Sequence, residues 1–229
     1  MSMFDQDNFS EGEWEDTGGL LWNEYDWQKF LKQNEQEIAR FLMLYIKLQF
    51  KPGHLDEIAH KLGWDKEDWF QQDNVNDESD PWEGFYRSSE EKDSSNDAAP
   101  FTIHRHPVYI VTRGITHHLV KSWEYLLEKN PKIASPSATW RLLRILQAAE
   151  FNALMAIHSI DFGEYNLCIC HLKNALSALN RVFTEVQEIL GQEGVSIPQP
   201  FVESTRTALF DLRETWLRVI QECRSFNLG

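Results

Sequence analysis

Apolar residues recur at spacings of three and four along most of this chain, and alternation with a period of two occurs nowhere at useful length. That periodicity places side chains on one helical face and predicts an all-α protein. Over about 24–50 the stripe is Trp27, Leu31, Ile38, Phe41, Tyr45 and Leu48. Lys51-Pro52-Gly53 ends it, because proline lacks an amide proton and glycine accepts a left-handed turn. Two short helices are predicted next, at 55–62 and 65–71, with a turn at Gly63.

From residue 101 the pattern predicts four longer amphipathic helices. The first, 107–129, opens on Pro107 and carries Val108, Val111, Ile115, Leu119 and Leu126, with Trp123 beside them. The second, 137–161, follows Ser135-Pro136 and has a wide apolar arc of Leu142, Leu143, Leu146, Ala149, Ala153, Ile157 and Ile160. The third, 164–190, alternates steadily through Cys168, Leu172, Ala175, Leu179, Val182, Val186 and Ile189. The fourth, 200–226, shows Phe201, Thr205, Ala208, Leu212, Val219, Cys223 and Phe226. Short loops make neighbouring helices antiparallel, so the expected architecture is an up-down four-helix bundle over 101–229. The long N-terminal helix and short helical hairpin belong to a separate segment, 1–71, joined to the bundle by an acidic linker, 72–100.

Charge sharpens this division. Residues 1–100 hold 24 Asp/Glu and 9 Lys/Arg, while 101–229 hold 12 and 13, so the whole excess of acid lies in the first part. Such a chain is a poor match for nucleic acid or anionic membrane, whose phosphates need a basic surface. The pattern Leu55-x-x-Ile58-Ala59-x-x-Leu62-Gly63 looks like the start of a helix-turn-helix. The helix that would enter the groove reads Asp65-Lys66-Glu67-Asp68-Trp69, net -2, which phosphates repel. Three cysteines are too few for a disulfide framework and point to reduced thiols in the cytoplasm. The N-terminus has neither the basic nor the apolar region of a signal peptide, and no apolar run approaches the ~20 residues of a membrane span.

Several residue groups bear on chemistry. Glu150 falls inside the apolar arc of its helix, between Leu143 and Ile157, where a carboxylate needs a partner. His118 and His171, on the flanks of their stripes, are the partners considered, and with Cys168 they make a candidate metal set: Glu150, His118, His171 and Cys168. The spacing argues against it, since ligands on one helix need a separation of three or four and Glu150 to His158 is eight. In Cys168-Ile169-Cys170-His171 the two cysteines point about 200° apart and cannot share one ion on an intact helix. His171-Leu172-Lys173 departs from histidine phosphotransfer domains, whose lysine stands three residues after the histidine. Arg113 and His118 have the spacing of an RNase motif of HEPN-type helical domains, but His117 is the histidine that shares the Arg113 face.

The functional expectation rests on aromatics. Residues 1–100 hold 16 of the 29 aromatic residues and 6 of the 9 tryptophans, although acidic tails are normally poor in them. Pro81-Trp82-Glu83-Gly84-Phe85-Tyr86 is the densest group. Apolar anchors set among steering charges suit docking, with Trp14, Trp22, Trp69, Trp82, Phe85 and Tyr86 as the contact residues. The expectation is a non-enzymatic interaction or regulatory module without a cofactor, acting on a protein partner or on its own copies. The alternative is a bundle with a metal or small-molecule site around Glu150.

Overall fold

The helix boundaries follow from local stereochemistry at the chain's punctuation residues. A computed structural model describes residues 22–64, 102–191 and 197–226. The expected helix at 65–71 and the linker at 72–100 lie outside the described residues. Helix α1 runs Glu24–Leu48 and opens with a reciprocal cap. Asn23 Oδ1 accepts from the Asp26 amide, and Asp26 Oδ2 accepts from the Asn23 amide, both at 3.1 Å. Gly53, at φ 67°, takes the left-handed conformation that turns the chain into α2, His54–Lys61.

A single 3-10 turn, Ile103–Arg105, leads into α3, Pro107–Lys129. Pro107 stands at the first helical position, where no amide is needed. Helix α4, Pro136–Asp161, is capped by Ser135, whose hydroxyl accepts from the Ala138 amide at 3.2 Å. Gly163, at φ 72°, reverses the chain into α5, Tyr165–Leu190. The last helix, α6, is Gln199–Phe226. The described residues are all-helical and contain no strand.

The core forms where the stripes of α3, α4, α5 and α6 meet. Helix α4 packs most extensively on α5, α5 on α6, and α3 on both α4 and α6. Ala149, Ala153 and Ala156 on α4, and Ala175 and Ala178 on α5, are all buried. Side chains this small allow the close approach of those two helices. Helix α1 lies on α3, with α2 folded against α1. Gly114 sets that approach, since a Cβ built there would stand 2.7 Å from Phe41 Cδ1.

The stripes of the four long helices agree with the spacing, with one exception at the end of α6, where Phe226 is exposed and stacks on Tyr165. Trp216, fully buried, adds to the expected α6 stripe, and its indole donates to Thr112 Oγ1 at 3.1 Å. The face of α1 needs a larger correction. Trp27 and Leu31 are exposed, and Phe30 and Asn34 are buried in their place. The α1 helix has two competing apolar lines in its first half. Asn34 selects between them, because its amide donates to the His104 carbonyl at 2.6 Å and turns that face inward.

Candidate functional site

Polar residues on one flank of α6 meet the α1–α2 hairpin. Asp211 is buried there. Its Oδ2 accepts from the Tyr45 phenol at 2.6 Å and lies 2.9 Å from His54 Nε2. The other ring nitrogen of His54, Nδ1, is 3.0 Å from the Lys51 carbonyl oxygen. A carbonyl can only accept, so Nδ1 carries a proton. Nε2 faces the Asp211 carboxyl, and a single hydrogen bond joins the two groups. Burial pushes the Asp211 carboxyl up, while the hydrogen bonds from Tyr45 and His54 pull it down. Burial and the neighbouring Asp211 raise Tyr45, which therefore stays a phenol.

The contact extends in both directions along α6. Two turns before Asp211, the Ser204 hydroxyl donates to Gln49 Oε1 at 3.0 Å, with His118 Nε2 at 3.5 Å. Beyond it, Arg218 bridges Asp56 of α2 and Glu214 of its own helix, each at 2.6 Å. These groups are half exposed, and that bridge contributes little beyond orientation. The chemistry available to this seam is hydrogen bonding and positional locking of the hairpin.

Beside the seam a cavity of about 310 Å³ opens between α1, α2, α3 and α6. Its floor is apolar, with Phe41, Ala59, Trp64, Val111 and Val219, and Asp56 and Glu222 stand at its edge. Trp64 stacks on Phe41, ring centroids 6.1 Å apart. On the opposite side of α1 the surface is also apolar. Met43, Ile46 and Phe50 are 63%, 53% and 63% exposed. Successive 100° steps place Met43, Ile46 and the exposed Ala39 within about 60° of one another, facing away from Phe41, Tyr45 and Leu48, and Phe50 follows in the turn after the helix.

Of the docking residues read from the sequence, Trp22 is described. Its ring meets Trp27 at 5.2 Å and Phe30 at 5.5 Å, and the Arg105 guanidinium lies over the Phe30 ring, 5.3 Å from its centroid. Trp22 thus has partners inside its own chain. Trp14, Trp69, Trp82, Phe85 and Tyr86 lie outside the described residues.

The four residues considered as metal ligands do not come together. Glu150 does have the partner its burial demands, but that partner is Arg113 of α3, Nη1 to Oε1 2.7 Å, and neither histidine. His118 faces Ser204 and the Tyr45 ring. Cys168, a free thiol, accepts a hydrogen bond from Cys223, the sulfurs 3.5 Å apart. His171 Nδ1 is buried without a hydrogen-bond partner. Among the described residues no three His, Cys, Asp or Glu side chains gather closely enough to hold an ion.

The residues missed by sequence reading are Asp211, His54 and Gly114. Asp211 sits about 100° from the centre of the α6 stripe, a flank position that reads as solvent-facing until the hairpin covers it. The available signal for Gly114 was a glycine inside an otherwise unbroken amphipathic pattern, which marks close backbone approach. Compared with known proteins, the chain matches no family, no curated protein and no solved structure.

Proposed function

We propose that this chain is a non-enzymatic interaction module, a helical scaffold that presents acidic, aromatic segments to a protein partner. The scaffold is an up-down four-helix bundle of α3–α6. Short connections at 130–135, 162–164 and 191–198 join helices that pack on one another, which supports antiparallel neighbours. The α1–α2 hairpin is locked onto this bundle through Asp211, and it fixes the origin of the acidic segment that follows Trp64. Free thiols at Cys168, Cys170 and Cys223 suit a reducing compartment, and among the described residues no helix is long and apolar enough to cross a membrane.

The observation that carries the reading is the coincidence of acid and aromatic residues in one part of the chain. Residues 65–101 alone hold 12 Asp/Glu against 3 Lys/Arg, together with Trp69, Phe70, Trp82, Phe85 and Tyr86. The matching partner surface is an apolar groove with basic edges, reached faster through charge steering and held by the rings. The competing metal reading loses its motive, because Arg113 already answers the charge of Glu150.

The test is quantitative capture from cells with the full chain and with a full chain carrying Trp14→Ser, Trp69→Ser and Trp82→Ser. A specific protein retained by the first and lost by the second, with retention falling as salt rises, is the expected result. Identical captured proteins from both chains, at equal helicity, would reject the reading.

A further inference from the structure

The acidic segment between the hairpin and α3 leaves from α1 and returns to α1. At its start, Trp64 stacks on Phe41. At its end, the His104 carbonyl accepts from Asn34. These two anchor points are seven residues apart on one helix, about 10 Å at 1.5 Å per residue. The 37 residues 65–101 are therefore tethered to α1 on both sides, through Trp64 and through His104. The outer face of that helix is apolar over Ala39, Met43 and Ile46, with Phe50 following in the turn after it; Arg40 and Lys47 line one edge, and Glu35 stands at the other.

We infer that this outer face of α1 is a docking strip for Pro81–Tyr86 of the same chain. Three observations favour that occupant. Charge is complementary along one edge, since the excursion is net -9 and Arg40 and Lys47 make that edge of the strip basic. The chemistry is complementary, because Trp82, Phe85 and Tyr86 supply apolar rings and the strip supplies exposed Met43, Ile46 and Phe50. The tether is sufficient on both sides: residues 65–80 extend to about 50 Å and 87–101 to nearly as much, against the roughly 10–12 Å diameter of the helix they must pass. Tethering by both ends raises the local concentration of the segment above that of any free copy.

This goes beyond the partner-docking reading, because it places a surface of the partner's kind on the chain itself. A partner with an apolar, basic groove then competes with α1 for the same rings. The segment is held in reserve until such a partner displaces it.

Photo-crosslinking in the full chain tests this. The substitution Ile46→benzoylphenylalanine sits at a half-exposed position, and circular dichroism verifies that the helix content is kept. The expected result is an intrachain adduct to the peptide containing residues 81–86, with a yield independent of protein concentration. The same probe combined with Trp82→Ser and Phe85→Ser should reduce that adduct to background. An adduct to residues 1–21, an adduct joining two copies, or no adduct in the folded chain would each overturn the inference. None of these outcomes reads partner capture, so the partner-docking proposal stands or falls separately.

Discussion

Tyr45 and Asp211, 166 residues apart in sequence, are joined by a 2.6 Å hydrogen bond that fastens α1 to the last helix of the bundle. The carboxylate also serves His54, so a single oxygen holds both ends of the turn between α1 and α2. Its loss leaves a buried phenol and a largely covered imidazole without their acceptor. Asp211→Ala should cost about 2–4 kcal/mol of stability in urea denaturation. Tyr45→Phe should cost less, and in the double variant the two losses should fall short of adding, by about 0.5–3 kcal/mol. Strictly additive losses would show that the two side chains do not act through one another.

Gly114 reverses an ordinary rule. In most helix interiors a change of glycine to alanine gains about 1 kcal/mol. Here the new methyl would stand 2.7 Å from Cδ1 and 3.0 Å from Cε1 of Phe41, a buried ring that must shift to admit it. Gly114→Ala should lower stability by about 1–3 kcal/mol, and adding Phe41→Leu should recover part of that loss. A raised melting temperature for Gly114→Ala alone would mean that α1 does not lie against α3 at this point.

Legibility in the sequence follows how local each cause is. Helix α3 was readable to the residue, because Pro107 and Asn130-Pro131 punctuate it within its own segment. The orientation of α1 was not readable. Its first half offers Trp27 and Leu31 on one line and Phe30 and Asn34 on another, and a contact from His104, seventy residues away, decides between them. Glu150 announced its need for a partner through the apolar arc around it. The identity of that partner depended on how α3 and α4 are rotated, which periodicity leaves open. Asp211 gave no signal at all, since nothing in α6 says which flank the hairpin will cover. The aromatics proposed to dock were visible as composition, and composition does not fix what they touch.

The three cysteines should separate by reactivity. Cys170 is exposed on α5, whereas Cys168 and Cys223 are buried and face each other. The hydrogen bond to Cys223, and burial, push the Cys168 thiol far above the usual range, so it is not a thiolate at neutral pH. In the native protein a thiol-specific reagent should modify Cys170 rapidly and the other two only as fast as the chain opens. Denaturant should expose all three, and Cys170→Ser should abolish the fast phase. Fast labelling at Cys168 in the native chain would contradict the packing of α5 against α6.

Acid should weaken the fold through the cap of α3. The Val108 amide donates to His106 Nδ1 at 3.2 Å, which requires a neutral imidazole with its lone pair free. Burial pushes His106 down to about 4. In the unfolded chain the same side chain takes up its proton near pH 6.5. Between about pH 6.5 and 4 the unfolded state binds more protons, so stability falls as pH falls, by up to about 3 kcal/mol for a gap of this size. His104 and His118, also lowered chiefly by burial, act with the same sign. Asp211 and Glu37, raised chiefly by burial, act with the opposite sign, since the folded state binds their protons more readily and gains stability as acid is added. His106→Asn keeps a side-chain acceptor for the Val108 amide but cannot titrate in this range. Urea midpoints measured from pH 7 to 4.5 should fall for the natural chain and fall distinctly less for His106→Asn. Equal pH slopes for the two proteins would locate the acid sensitivity somewhere other than the α3 cap.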